Sequence, residues 1–432
     1  MLRFAPSPTG DMHIGNLRIA IFNSLLSQQK SEPLIVRIED SDKERNIEGK
    51  DQEILDILGL FGIEHKELIY QSNYLKYHRT MALQLLHDKK AFSCFCTPET
   101  LKAKREAAQA SKKEYRYDGT CQNLTADRVI DNTNPFVVRL KKQDNALHVK
   151  DIIKGEQSFE ADDIDSVIIM HHDKSSTYNF ACAIDDMISD ISTVIQGDDH
   201  ISDTPKQIAI RHALGYDKEI AYAHLPMILN DEGEKMGKRD KIFRVKWMLE
   251  EGFLPSAIAN YLVLIGNKVP KEIFTMQEAL AWFSLENISN TPARFDIDKL
   301  RAINKEHLRM LDAKELSRYV GFADEDIGEM TKIYLDEAST LKELRAKIEP
   351  IFAPKEIPEI WAKRAQTIRK VINSAPHFEA FDSFMSHLMK ESGLEGELLL
   401  EPLRLLLTGA KHGPEVSELY PYLKNYLGEI IK

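Results

Sequence analysis

Within its first thirty residues the chain commits to a strand, a sharp turn and a helix. Leu2 and Phe4 flank Arg3 in a short β-like run, Pro6 and Pro8 prevent a paired strand from continuing, and Thr9-Gly10 turns the chain. After the turn Ile14, Leu17, Ile21 and Leu25 recur at helical spacing. A strand that ends in a small-residue turn and feeds a helix aims free backbone N–H groups and the positive end of the helix dipole at one spot, which suits a phosphate. His13 stands at that helix mouth. By itself this names no function, because Pro/Gly turns before helices are common and a His there usually caps the helix or faces solvent.

Changes of period give the organisation. Residues 1–76 alternate β-like runs (Leu2 to Ala5, Leu34 to Ile38) with helical stretches (Ile14 to Gln29, Asp51 to Leu60), the pattern of a parallel sheet covered by helices. From 77 to 173 this gives way to a helix, a Cys-containing segment, a basic stretch and a mixed β-like region. β-like runs return at Thr193 to Gln196 and Ile220 to Leu229, so a sheet domain split by an insertion is expected. Residues 240–432 carry long amphipathic patterns (Leu300 to Leu311, Ile327 to Ile348, Leu394 to Ala410) broken by Pro and Gly, which predict a helical half. At 432 residues the chain exceeds one ordinary core, and two to four domains are expected.

Composition narrows the class. No apolar run reaches the length of a membrane span and the N-terminus lacks a signal-peptide layout, so no membrane partner is expected. Four cysteines in so long a chain make no disulfide framework, which points to reducing cytosol. The net charge of −11 argues against a nucleic-acid binder until its distribution is considered. Lys235, Lys238, Arg239, Lys241, Arg244 and Lys246 lie close together with Asp240 as the one acid among them. A second basic run spans Lys102 to Arg116, and a third combines Lys363, Arg364, Arg369 and Lys370 with Trp361. Any one of these reads best as a solvated helix face. Three of them in an acidic chain fit a protein that grips one RNA at several places.

A second chemical segment, Lys235-Met236-Gly237-Lys238-Arg239, sets two lysines three apart in a glycine-containing loop, able to swing both ammoniums onto a triphosphate. Together with Arg3-Phe4-Ala5-Pro6-Ser7-Pro8-Thr9-Gly10 and His13-Ile14-Gly15-Asn16, it resembles the signature pair of class I aminoacyl-tRNA synthetases known as HIGH and KMSKS. Arg37-Ile38-Glu39-Asp40-Ser41-Asp42, Thr177-Tyr178-Asn179-Phe180-Ala181 with Asp185-Asp186, Gly197-Asp198-Asp199-His200 and Asp203-Thr204-Pro205-Lys206-Gln207 are similar to landmarks of the bacterial glutamyl-tRNA synthetase family, in family order across residues 3–239. The C-terminal third resembles that family only weakly.

The resemblance implies an α/β Rossmann-like catalytic domain split by an α+β insertion, followed by an all-helical anticodon-binding region. It divides the chain into a first catalytic half (1–76), an acceptor-stem-binding insertion (77–173), a second catalytic half (174–239), a stem-contact helical domain (240–310) and an anticodon-binding region (311–432). It implies ATP-dependent activation of L-glutamate, with Mg²⁺ accompanying ATP, and transfer of glutamate to the terminal adenosine of tRNA(Glu), tRNA(Gln) or both; a monomer is expected. Such transfer depends on positioning and charge neutralisation. The resemblance assigns His13 and the backbone of Gly15 to the phosphates, Lys235 and Lys238 to the charge developing on pyrophosphate, and Asp199 to the neighbourhood of the ribose.

For glutamate the resemblance assigns Arg3, Ser7, Glu39 and Tyr178, with Cys182 and Gln196 at two further pocket positions. A guanidinium can take a carboxylate bidentately, and an ionised Glu39 suits the α-ammonium. Two positions depart from the family pattern: Cys182 stands where relatives often have Asn, and Gln196 where they carry Arg. Discrimination against glutamine is therefore expected to rest on Arg3 or on a replacement cation.

The expected insertion carries Cys94, Cys96 and Cys121, with Tyr117 four residues before the last. Three thiolates satisfy most of a tetrahedral zinc site. In the resembled family a structural Zn²⁺ is completed by a His two residues after the third Cys or a Tyr four before it; here the first position is Asn123, a poor ligand, and Tyr117 is the better fourth donor. The alternative is a cluster of buried thiols.

Two other functions are compatible with these motifs: glutamyl transfer to a modified tRNA base, which the length beyond residue 311 argues against, and a catalytically silent tRNA-binding regulator. Intact His13, Glu39, Lys235 and Lys238 argue against the latter, although Gly237 and Asp240 depart from the usual residues of their loop.

Overall fold

A computed structural model describes the whole chain apart from residue 113 and residues 236–239. The chain divides into two compact units, one of residues 1–245 and 262–295, the other of residues 246–261 and 296–432.

The first unit is built on a seven-stranded sheet. Its strands are β1 (Leu2–Phe4), β2 (Leu34–Ile38), β3 (Glu67–Tyr70), β6 (Leu147–Asp151), β7 (Gly155–Phe159), β9 (Thr193–Gly197) and β10 (Ala221–Leu225), in the order β3-β2-β1-β9-β10-β6-β7. All neighbours are parallel except the β6–β7 hairpin at one edge. Every residue of β1 and β2 is buried, as expected of central parallel strands covered on both faces. The β6–β7 hairpin, which falls inside the stretch expected as an insertion, extends this sheet. The rest of that stretch forms its own antiparallel sheet of β4 (Ala91–Cys94), β5 (Val137–Leu140) and β8 (Ile168–Met170).

Helices α1 to α7 belong to this first unit. α1 (Ile14–Lys30) buries Ile14, Leu17, Ile21 and Leu25 and ends at Ser31 in the left-handed region. α2 (Lys50–Leu60) follows β2, and α3 (Leu75–His87) leads to β4, after which come the surface helices α4 (Pro98–Ala110) and α5 (Ala126–Ile130). α6 (Tyr178–Ile188) is buried along Phe180–Asp186, and α7 (Thr204–Ala213) begins with Pro at its second position, where a missing N–H costs nothing.

The second unit is helical among its described residues. The amphipathic pattern from Ile327 to Ile348 falls on two helices, Glu325–Ile333 and Leu341–Phe352. Thr340 interrupts them: its hydroxyl accepts from the Glu343 N–H at 3.3 Å, opening a new helix there. Periodicity alone could not separate them, because each half buries its own apolar stripe. In helix Glu359–Ser374 the buried stripe is Ala365, Ile368 and Ile372, and the Arg364 guanidinium lies 5.2 Å from the Trp361 ring. No described helix is long and apolar enough to cross a membrane.

Candidate active site

The loop after β1 is fastened by its own carbonyls: Pro6 accepts from the Glu39 N–H and Pro8 from the Ile47 N–H, both at 2.9 Å. His13 then takes an extended backbone and caps α1, its Nδ1 accepting from the Asn16 N–H at 3.3 Å. The expected helix-mouth His is thus oriented by the first turn of the helix it opens. A Cβ at Gly15 would meet the His13 ring at 3.0 Å, so the glycine leaves room for that imidazole. Asp11 pairs with Lys50 of α2 and, at 3.3 Å, with Arg244.

Beneath this loop lies a buried charge cluster. Arg3 donates through Nε and Nη2 to the two oxygens of Asp186, at 3.2 and 3.4 Å. Arg37 donates to Asp186 at 2.6 Å and to Glu39 at 3.3 Å. Asp185 accepts from Gln71 at 2.8 Å and lies 2.6 Å from Nε2 of His78, whose Nδ1 is 2.9 Å from the Ser176 hydroxyl. Burial would raise the Asp186 carboxyl, but the guanidiniums of Arg3 and Arg37 hold it below its ordinary range. Burial and the neighbouring Glu39 push the Cys182 thiol well up, so Cys182 stays protonated and donates to Glu39 Oε1 at 3.2 Å.

Above the cluster opens a cleft of about 1230 Å³. Of the residues expected around glutamate, Ser7, Glu39 and Tyr178 line it, as does His13 of the expected phosphate site. Arg3, Cys182 and Gln196 do not line it; they are buried, Arg3 and Cys182 in contact with the cluster. Gln196 belongs to a different network. Its amide lies 2.8 Å from His224 Nε2 and 3.3 Å from the Thr204 hydroxyl, and His224 Nδ1 is 2.6 Å from Asp151, whose other oxygen accepts from the Ile153 and Lys154 N–H groups. Expected at a pocket position where relatives carry Arg, Gln196 instead turns its side chain inward. An amide, unlike a guanidinium, can satisfy itself on a hydroxyl and an imidazole without a carboxylate.

Asp199 and Lys235, expected on ribose and pyrophosphate, form an ion pair at 3.0 Å, and the Lys235 ammonium, outweighing burial, holds the Asp199 carboxyl down. Neither these two nor Gly15 lines the cleft. Lys238 lies outside the described residues.

The cleft wall also holds His200, quoted in the sequence motifs but given no role there. Its ring lies 5.7 Å from that of Tyr178, and its Nδ1 is 3.2 Å from Asp203. The hydrogen bond to Asp203, against burial, raises the imidazole above its ordinary range, with Asp199 and Glu39 acting in the same direction. The available signal was an acid three residues on, at the start of a helix.

In the second sheet, β4 ends at Cys94, and Cys94, Cys96 and Cys121 place their sulfurs within 4.8 Å of one another. The Tyr117 hydroxyl lies 3.3 Å from Cys94 Sγ and 3.5 Å from Cys96 Sγ, whereas Asn123 is exposed. Three sulfurs and a phenol gathered around one point are a donor set that fits Zn²⁺.

A mostly parallel sheet with a glycine-bearing loop feeding a helix, and a cleft carrying both an anion-ready helix mouth and a carboxylate, defines a nucleotide-handling α/β enzyme of the Rossmann-like class. Residues 1–302 match the family model for tRNA synthetases class I (E and Q), catalytic domain, and residues 312–424 the model for an anticodon binding domain. The chain belongs to this family of class I tRNA synthetases. It is 64% identical to glutamate–tRNA ligase 2 of Sulfurimonas denitrificans and 55% identical to glutamate–tRNA ligase 1 of a Nitratiruptor species, each over 100% of both chains. The crystal structure of a glutamate tRNA ligase from Elizabethkingia meningosepticum in complex with its amino acid superposes with a TM-score of 0.83 at 26% identity, covering 100% of this chain and 98% of that one.

Proposed function

We propose that the protein is a glutamate–tRNA ligase that activates L-glutamate with ATP to glutamyl-adenylate and transfers it to the 3′-terminal adenosine of tRNA. The observation that carries this reading is the cleft in which His13 at the mouth of α1 faces the same space as Glu39 and Tyr178. His13 and the N–H groups opening α1, with Gly15 leaving room for the ring, hold the ATP phosphates. Glu39, its carboxylate fixed by Arg37 and Cys182, accepts from the α-ammonium, and the Ser7 and Tyr178 hydroxyls offer further hydrogen bonds to the substrate. Arg3 acts from below, by holding Asp186 and so the cluster on which Glu39 rests. Lys235 exchanges Asp199 for pyrophosphate oxygens, and Lys238 joins it. Bound Mg²⁺ supplies charge neutralisation on the triphosphate.

In the same reading residues 77–173 hold the acceptor stem, 240–310 contact the stem and 311–432 read the anticodon. Cys94, Cys96, Tyr117 and Cys121 hold a structural Zn²⁺ that ties β4 to the loop before α5. None of the four cysteines forms a disulfide, which supports a reducing, cytosolic location. The test is ATP–pyrophosphate exchange with glutamate in the presence of tRNA, followed by aminoacylation of purified glutamate- and glutamine-accepting tRNAs, each alone. Charging of one or both with glutamate supports the reading; exchange with no charging of either overturns it.

A further inference from the structure

One wall of the cleft is backed by three side chains that the activation of glutamate does not use. The Ser176 hydroxyl lies 2.9 Å from Nδ1 of His78, and Nε2 of the same ring lies 2.6 Å from Oδ1 of Asp185. His78 belongs to α3, Asp185 to α6, and Ser176 to the turn between β8 and α6. Ser176 lines the cleft, whereas His78 and Asp185 behind it are each 1% exposed. Asp185 is fixed in turn, its other oxygen accepting from the Gln71 amide at 2.8 Å, while the Gln71 carbonyl accepts from the Ser41 hydroxyl at 2.7 Å. The carboxylate beside Nε2 assigns the ring proton to that nitrogen, and Nδ1 then accepts from the Ser176 O–H. The two ring nitrogens are exchanged relative to the common serine hydrolase arrangement. The roles require only that an acid hold one nitrogen and that the other take the proton of the nucleophile.

We propose that Ser176, His78 and Asp185 form a nucleophile–base–acid triad that hydrolyses an aminoacyl group carried on a nucleotide, either the aminoacyl-adenylate or the ester at the tRNA terminus. The triad stands on its own geometry; the acyl substrate rests on the glutamate–tRNA ligase reading. No side chain caps α6, so its opening N–H groups, which begin two residues after Ser176, are left for a developing oxyanion. Arg79, next to the base on α3, and His171 line the same cleft as Ser176 and suit a phosphate-bearing leaving group, while Asp173 beside them is turned to the Ser175 N–H and hydroxyl. In the first step Ser176 Oγ attacks the acyl carbon, its proton passes to His78 Nδ1, and the bond from carbon to the nucleotide oxygen breaks. A ribose oxygen leaves with the proton from His78; an adenylate phosphate leaves as the anion, and the proton goes to solvent. Water then attacks the acyl-serine ester, its proton returns through His78 to Ser176 Oγ, and the free amino acid departs.

The experiment begins with the full chain and a fluorophosphonate probe, which reacts with activated serines, its site mapped by mass spectrometry. Ser176 should be labelled in wild type, Ser176→Ala should take no label there, and His78→Gln should label about a hundredfold more slowly, the size of a lost general base. Glutamyl-adenylate and glutamyl-tRNA are then supplied separately, and the release of free glutamate is compared with the enzyme-free rate. Wild type should accelerate the loss of one or both by about tenfold or more and Ser176→Ala of neither. The arm that responds identifies the source of the acyl group. An unlabelled Ser176, a wild type that hydrolyses neither compound, or a Ser176→Ala that matches wild type overturns the proposal. Should His78→Gln fail to fold, the Ser176→Ala comparison decides alone, because Ser176 stands in the cleft wall and not in the core. Labelled protein that charges neither tRNA with glutamate would instead overturn the ligase reading and leave the triad standing.

Discussion

Nη1 of Arg37 lies 2.6 Å from Oδ1 of Asp186, and neither side chain is exposed to solvent. A pair in this setting stabilises little against apolar alternatives, yet breaking it leaves a buried charge uncompensated. Asp186→Asn is therefore expected to cost about 3 to 5 kcal/mol by urea unfolding at neutral pH. The Asp186 carboxyl is held below its unfolded value, so its contribution is complete above about pH 4 and fades as pH falls through the lower folded value. The gap between wild type and variant should be constant from neutral pH down to that point and narrow only below it.

Gly15→Ala should leave the fold intact and impair adenylate formation. A Cβ there would stand 3.0 Å from the His13 ring, forcing the imidazole away from the Asn16 N–H that orients it. A loss of about tenfold or more in pyrophosphate exchange is expected, with an unchanged melting temperature.

Lys235→Ala should separate catalysis from stability. Its partner Asp199 is about half exposed, so the lost ion pair costs under about 1 kcal/mol. Adenylate formation should fall by about tenfold or more for Lys235→Ala and for Lys238→Ala, because in the proposed mechanism both ammoniums neutralise the negative charge developing on pyrophosphate, while tRNA binding is retained. Exchange kinetics and a tRNA-binding titration measure the two effects separately.

Protein purified without chelator should contain about one zinc per chain. Cys96→Ser should lose the metal, and protease sensitivity should then rise around residues 94–124 while the seven-stranded sheet keeps its melting transition. Zinc measured by atomic spectroscopy, beside limited proteolysis mapped by mass spectrometry, tests both statements.

Gln196→Arg is expected to destabilise. The longer cation would be forced in among Thr204, His224 and Asp151, in space now filled by an amide, at a cost of about 1 to 3 kcal/mol for overpacking. It should not improve the use of glutamine, and the apparent KM for both amino acids checks this.

The sequence by itself was enough to read the strand, turn and helix at the N-terminus, the split sheet, the helical half and the clustering of three cysteines with Tyr117. Those features rest on local rules: prolines that end strands, apolar residues at helical or alternating spacing, and ligands close together along the chain. Local rules also placed His13 at a helix mouth and Glu39 at the end of β2, and both line the cleft. What only the tertiary structure decided is where side chains from distant segments point. Arg3 meets Asp186 across 183 residues, Cys182 meets Glu39 across 143, and Gln196 is drawn to His224 on the neighbouring strand β10, which in turn holds Asp151 on β6. Each of these is a competition between buried polar groups for a limited set of partners, and the winner depends on strand order and register, which no single segment encodes. The same competition turned Gln196 away from the cleft and left His200 in its wall.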